Sequence, residues 1–456
     1  MISRKIMSRL ERFYLDGGKT ALLIDGARQV GKTFIIEEFG RTHYESVVKI
    51  DFVKMKGAIG LFQDVEDEKE IISRISAFSQ QPLIEGRTLI FLDEIQKCPE
   101  AVTYLKYLVR DDGRYHYILS GSLLGVELRN IRSVPVGVLD EEKMYPLDFE
   151  EFVLANGEKP QLIEAAKESW VKRKPLARPL HERLRKLFRF YLVVGGMPAA
   201  VQTYLDTHDI RLVVREQKKI LVDYRKDITQ YDEANAMRIR EVFDRIAPEL
   251  NKKNKRFYAD SIREGGRFDR LEDEFLWLKE AGVGIPVYNV DAPRVPLKLA
   301  EKPNFFKLFM NDVGLLSAMY MDGIQVKTLN GETAINFGSV YENAVAQELT
   351  AHGFAPRYFN SSAHGEIDFV VEKNGGVLPV EVKSGKHYKR HRALAHMMDD
   401  PEFGMESALV LDDDALDVEG KLFYAPIYMM MFLERERLPE TMICEIGDPI
   451  VFPDGK

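Results

Sequence analysis

The chain has 456 residues, a formal net charge of −8, and 45% apolar and 10% aromatic residues, which is too long for one core at about 100 to 200 residues per domain and too apolar for a disordered chain. Cys98 and Cys444 are its two cysteines, far apart and without ligand spacing, so neither a disulfide framework nor a zinc site is indicated. The acidic balance argues against a protein that coats nucleic acid with its whole surface.

The N-terminal stretch "MISRKIMSRLERFYLDGG" sets charges among apolar residues at helical spacing and lacks the apolar core of a signal peptide. No run of about 18 apolar residues occurs anywhere, so no membrane span is expected and the cytoplasm is the expected location. Next comes "ALLIDGARQVGKTFIIEEF": an apolar strand from Ala21 to Ile24, the pattern Gly26-x4-Gly31-Lys32-Thr33, and the start of an amphipathic helix. The glycines let the backbone curl so that amide N–H groups point inward, and the helix presents its positive end to the same point. Gly26, Ala27, Arg28, Gln29, Val30, Gly31, Lys32, Thr33 and Phe34 are therefore expected to bind ATP. Lys32 would reach the β and γ phosphates, and the Thr33 hydroxyl would hold Mg2+.

"RTLIFLDEIQKCPE" reads as a buried strand ending in Asp93-Glu94, where a parallel sheet delivers carboxylates to the phosphates. Asp93 would serve the Mg2+ and Glu94 would orient or deprotonate the attacking water. A further strand, "YHYILSGS", ends in Ser120, Gly121 and Ser122; Ser120 is favoured as the γ-phosphate sensor, ahead of Ser122. Arg28, Arg129 and Arg132 are all open as the arginine that completes the transition-state charge, in cis or from a neighbouring subunit of a nucleotide-dependent homo-oligomer.

Residues 145–235 carry helical patterns interrupted at Pro175, Pro179 and "GGMP" (195–198), a helix-helix turn able to serve a lid. Residues 171–190 hold eight Lys or Arg against one Glu, read as a solvated helix face ahead of a phosphate-contacting one. From 239 to 309 the order helix, short helix (Phe257 to Arg263), longer helix (Phe268 to Ala281) and two strands around "NVDAPRVPL" predicts a winged helix-turn-helix. Its presumed recognition helix is acidic, which favours a protein partner over DNA, although "NKKNKR" could contact backbone phosphates.

In "GEIDFVVEKNGGVLPVEVKSGK" side chains alternate, so Glu366 and Asp368 share one strand face and Glu381 shares a face with Lys383. Folded at "KNGG", the hairpin would bring them together. Asp368 and Glu381 would hold one or two Mg2+ ions, and Lys383 would lower the pKa of the attacking water or steady the scissile phosphate. The rival reading is an ordinary ion-paired hairpin. "IYMMMFLERERL", from Ile427 to Leu438, reads as core packing.

Taken in order, "GARQVGKT", "FLDEIQ", "ILSGS", "VPVG...YPLDFEEF", "YLVVGGMP", "FKLFMNDVGLL", "YENAVAQEL" and "GEIDFVV...VEVKSGK" resemble a prokaryotic family of AAA-like ATPases with a C-terminal domain of unknown function. The resemblance spans nearly the whole chain. It implies an α/β fold: an AAA-type P-loop NTPase core at 1–150, a helical lid or linker at 151–235, a winged-helix-like module at 236–325, and a restriction-endonuclease-like PD-(D/E)xK domain at 326–456. Glu342, on the helix "YENAVAQEL" read as amphipathic, matches that pattern's additional helical acid, with Gln347 a weaker candidate. Val138 stands where the family suggests a basic residue. Two functions follow as expectations: an ATPase whose cycle regulates or drives an Mg2+-dependent nuclease-like domain acting on DNA, or a nucleotide-dependent switch or scaffold whose nuclease-like domain is silent and binds DNA or a partner protein.

Overall fold

The computed structural model describes residues 2–122, 137–231, 235–258, 272–320, 322–331, 338–384, 389 and 391–436. The N-terminal part runs α1 (Met7–Leu15), β1 (Ala21–Asp25), α2 (Lys32–His43), β2 (Ser46–Asp51), α3 (Glu68–Phe78), β3 (Thr88–Asp93), α4 (Pro99–Tyr107), β4 (His116–Gly121) and β5 (Leu139–Lys143). Its strands form a five-stranded sheet in the order β2-β3-β4-β1-β5, parallel throughout. Helices cover both faces, which is why β3 and β4 are buried at every residue and read as continuous apolar runs. Leu22, Ile24, Leu89, Phe91 and Ile118 pack with α2 on one face; Leu23, Ile90, Leu92 and Leu119 pack with α3 and α4 on the other. The loops after β1, β3 and β4 therefore open at one carboxyl edge.

A helical run follows: α5 (Phe149–Ala155), α6 (Pro160–Lys172), α7 (Arg178–Val194), α8 (Pro198–Thr207) and α9 (Ile210–Tyr231). Asp148 and Glu151 form a capping box at the start of α5. Pro175 falls between α6 and α7, and Pro179 lies in the first turn of α7, where the missing N–H costs nothing. The "GGMP" turn joins α7 to α8. Gly195 has φ +72°, and a Cβ on Gly196 would stand 2.0 Å from the Leu147 carbonyl oxygen. Gly196 N–H instead donates to Asp312 Oδ2 at 2.5 Å. The turn is thus fastened between Leu147, just before α5, and Asp312 of a later segment.

The remainder comprises α10 (Ala236–Leu250), α11 (Glu272–Glu280), β6 (Gly284–Val290), β7 (Glu301–Met310), α12 (Val313–Met319), α13 (Ile324–Asn330), α14 (Gly338–Ala351), β8 (Arg357–Ser361), β9 (Gly365–Lys373), β10 (Gly376–Val382), α15 (Arg392–Asp399), β11 (Ala408–Asp412), β12 (Asp417–Glu419) and β13 (Leu422–Pro426). The helix expected at Phe257–Arg263 lies outside the described residues beyond position 258, as do the first residues of the next one; α11 is what is described of it. The strands expected around "NVDAPRVPL" are β6 and β7, and their place differs from a free wing. They belong to an eight-stranded sheet in the order β12-β13-β11-β10-β9-β8-β6-β7, with β6 parallel to β8. The sheet therefore runs across the expected division at 325 and 326.

One apolar cluster extends from Leu22 through Phe188, Phe243, Trp277, Phe306 and Val345 to Met431, so these parts share a core. Helix α14 departs from the amphipathic reading: Ser339 to Leu349 are all buried. The eight-stranded sheet, the helical run and the chain entering α5 close over it, and its polar residues face partners rather than solvent. Ile427 to Met431 are buried, matching their reading as core.

Candidate functional site

Asp25 ends β1, and Gly26 passes so close to Met144 that a Cβ would lie 2.1 Å from the Met144 carbonyl oxygen. Gly31, at φ +96°, turns the chain into α2. Between them the loop curls around the Lys32 ammonium, which donates to the Gly26 and Ala27 carbonyls at 2.7 and 2.8 Å. Burial, with Arg28 adding to it, pulls the Lys32 pKa down to about 8, against Glu94, Asp25 and Asp93. A cation held by its own loop's carbonyls is one that an anionic phosphate can take over, so the residues present fit a phosphate chain.

Asp93, at the end of β3, is the centre of the polar edge. Thr33 Oγ1 donates to its Oδ2 at 3.1 Å, Ser120 Oγ donates to its Oδ1 at 2.5 Å, and Lys49 Nζ on β2 lies 3.1 Å from Oδ2. The paired hydroxyl and carboxylate of Thr33 and Asp93 are hard oxygen donors of the kind that Mg2+ takes. Glu94 adopts a left-handed conformation, φ 56°, and its Oε2 accepts from Gln96 Nε2 at 2.6 Å. Phe34 is exposed.

Several contacts to this loop were not expected. Arg28 Nε donates to Ser122 Oγ at 3.3 Å, and the same guanidinium pairs with Asp227 on α9. Gln29 Nε2 donates to Asp223 Oδ2 at 3.1 Å, and the Tyr224 hydroxyl donates to the Arg28 carbonyl at 3.2 Å. Arg4 donates to the Val30 carbonyl at 3.0 Å and to the Tyr145 carbonyl at 2.6 Å. The turn after α11 covers the loop, with a Cβ on Gly282 falling 3.1 Å from Ala27 N. Nothing in the local spacing of Arg4, Lys49, Tyr224 or Asp227 announced them. Arg129 and Arg132 lie outside the described residues, and Val138 is buried.

The second group of expected residues meets on the C-terminal sheet. Asn374 and Gly375, both at positive φ, turn β9 into β10. Asp368 Oδ2 accepts from Val382 N at 2.9 Å, and Lys383 Nζ donates to Glu381 Oε1 at 2.5 Å. Burial, with Asp368 adding to it, pushes Glu381 up to about 8. Glu342 on α14 is buried and pairs with Lys255. Lys255 comes from "NKKNKR" and thus turns inward, away from the expected phosphate contact. Gln347 is a structural hydrogen-bonding residue: its Oε1 accepts from Val313 N and its Nε2 donates to the Tyr191 hydroxyl, each at 2.8 Å.

The sequence reading missed Lys307. It lies on β7, fully buried, with its Nζ 2.7 Å from Glu366 Oε1, 3.6 Å from Glu342 Oε2 and 3.9 Å from Asp368 Oδ1. Burial pulls its pKa down, but the carboxylates outweigh this and hold it above the ordinary lysine range. No group of three His, Cys, Asp or Glu among the described residues is arranged to hold a metal ion. Three of the eight basic residues at 171–190 pair with neighbouring acids: Lys172 with Glu168, Arg183 with Glu158 and Arg185 with Glu182.

Residues 18–153 match the family model of an AAA domain. Residues 185–328 match a domain of unknown function (DUF8612), and residues 337–428 another (DUF4143). No curated protein matches the chain. Similar solved structures include the Walker-type ATPase PABY2304 of Pyrococcus abyssi, at 15% identity over 70% of this chain and 96% of that one, TM-score 0.44. The Aeropyrum pernix ORC1 protein in complex with DNA is similar at 11% identity over 72% of this chain and 94% of that one, TM-score 0.30. Thermotoga maritima RuvB is similar at 15% identity over 65% of this chain and 89% of that one, TM-score 0.27. The N-terminal part is thus similar to an AAA domain over residues 18–153. No helix among the described residues is long and apolar enough to cross a membrane.

Proposed function

We propose that this protein binds and hydrolyses ATP and works as a nucleotide-dependent switch, with α9 carrying the state of the phosphate-binding loop to the C-terminal module. The observation that supports this reading is the position of Arg28. It lies inside the loop, yet its guanidinium is shared between Ser122 beyond β4 and Asp227 on α9. A bound triphosphate competes with Asp227 for that cation, because phosphate accepts strongly and in a bidentate manner from arginine. Releasing Asp227 frees the flank of α9 that also carries Tyr224.

In this reading residues 26–34 cradle the phosphates, and Lys32 exchanges its two carbonyl partners for phosphate oxygens. Thr33 and Asp93 would hold Mg2+, which when bound neutralises charge on the phosphates. Glu94 orients the attacking water and accepts its proton, with Gln96 fixing one carboxylate oxygen. Ser120, through its bond to Asp93, responds to occupancy of the site. Asp368, Glu381 and Lys383 meet on adjoining strands with Glu342 behind them, which supports the restriction-endonuclease-like shape expected of the responding module.

Hydrogen exchange on Glu94→Gln, with and without ATP and Mg2+, tests the switch. Altered protection is expected over 223–227 and 301–312. Unchanged protection there at saturating ATP would overturn the switch, and a wild-type chain that releases no phosphate from ATP would overturn the hydrolysis.

A further inference from the structure

The carboxylates of Glu342, Glu366 and Asp368 resemble a metal site on paper, and the residues around these three do not fit one. We infer that Lys307, with Lys255, fills the place of a divalent cation among Glu342, Glu366 and Asp368, making the cluster an internal ion-pair hub. The inference is independent of the nucleotide switch.

Position carries the first part of the argument. Lys307 Nζ stands within 4 Å of oxygens from all three acids, at 2.7, 3.6 and 3.9 Å, and its side chain has 0% exposure. A divalent ion shared by these acids would need oxygens at about 2.0 to 2.6 Å in space the ammonium occupies, beside a like charge. The remaining oxygens are also engaged. Glu342 Oε1 pairs with Lys255, Glu366 Oε2 accepts from Asn360 Nδ2 at 2.8 Å, and Asp368 Oδ2 accepts from Val382 N at 2.9 Å.

Rigidity carries the second part. Lys307 is rooted in β7, the edge strand of the eight-stranded sheet, with its own side chain fully buried and its Nζ 5.1 Å from the centroid of the Tyr358 ring on β8. Its neighbours Phe306 and Leu308 are buried as well, so it cannot swing out to solvent as a surface lysine would. A lysine in such a place needs acidic partners, as the acids need a cation. The hub joins β7, β9, α14 and, through Lys255, the segment after α10.

Mn2+ binding to the nucleotide-free full chain, followed by loss of the free-ion electron paramagnetic resonance signal, tests this. Wild type and Asp368→Asn are expected to be indistinguishable at submillimolar Mn2+. Lys307→Met is expected to gain a bound ion per chain and a Mn2+-dependent rise in thermal midpoint, both lost in Lys307→Met with Asp368→Asn. Wild-type uptake abolished by Asp368→Asn overturns the inference, as does a folded Lys307→Met that takes up no Mn2+. Should Lys307→Met not fold, the first pair decides: no cluster-dependent uptake supports the hub, and uptake lost in Asp368→Asn refutes it.

Discussion

The hydroxyl of Tyr224 on α9 donates to the carbonyl of Arg28 inside the loop between Gly26 and Thr33, at 3.2 Å, and Asn311 Nδ2 at the exit of β7 donates to that same hydroxyl at 3.4 Å. Loop, helix and hairpin are therefore in direct polar contact. Tyr224→Phe keeps the packing and removes the hydroxyl. It is expected to lower unfolding stability by about 0.5 to 1.5 kcal/mol and to blunt any ATP-induced change in hydrogen exchange over 301–312. Exchange that responds to ATP as in wild type would show that the contact carries no signal.

Lys32→Ala should abolish nucleotide binding, whereas Glu94→Gln should bind ATP normally and hydrolyse it about 100- to 10,000-fold more slowly. Fluorescent-nucleotide titration and phosphate release separate the two. Normal turnover in both variants would remove these residues from the site.

Asp227 is buried, and burial pushes its pKa up to about 6 even though Arg28 opposes the shift. Asp227→Asn should release Arg28 and tighten ATP binding about tenfold at pH 7, equivalent to about 1.4 kcal/mol. In wild type the gap to the variant should close as pH falls through 6 and Asp227 takes up its proton. A gap that does not change between pH 5 and 7.5 would count against competition for Arg28.

Other buried carboxyl groups are raised too. Burial, with Asp148 adding to it, takes Glu348 to about 7; burial takes Asp312 to about 6 and, with Asp414 and Asp413 adding, Asp412 to about 7. Each exceeds an unfolded value near 4, so the folded chain holds protons that the unfolded chain has released. Their contribution to stability is complete below about pH 4 and is lost as pH rises through about 6 to 7, at up to about 1.4 kcal/mol per pH unit for each proton. The thermal midpoint is expected to fall from pH 5.5 to 8, less steeply in Glu348→Gln.

Gly196→Ala would press a methyl group against the Leu147 carbonyl. A loss of about 1 to 3 kcal/mol is expected, together with weaker docking of α8 on the core. Chemical denaturation and limited proteolysis of the α7–α8 turn would report both.

The candidate nucleotide site was legible because its chemistry is local: a glycine curl, a lysine and a hydroxyl follow one another, and Asp93 and Ser120 end strands whose apolar runs announce them. Arg28's partner was not, since Asp227 sits about 200 residues away on a helix face that looks like any charged surface. The hairpin "EIDFVVEKNGGVLPVEV" was legible for the same local reason. Lys307 escaped because the strand "FKLFM" does not reveal which acids it will face. Lys255 looked like a contact for backbone phosphates, and α14 looked half-exposed, because neither pattern records how many neighbours close over it. The winged-helix reading placed two strands around "NVDAPRVPL" without a partner for them, because strand pairing is a non-local choice; β6 pairs with β8.

That pairing has a practical cost for anyone dissecting the protein. A fragment begun at residue 326 would strip β6 from β8 and bare a row of amide and carbonyl groups beside the buried Tyr358 and Phe359. Such an edge recruits further copies of itself, so aggregation of the excised C-terminal piece would reflect the missing hairpin rather than an unstable sequence.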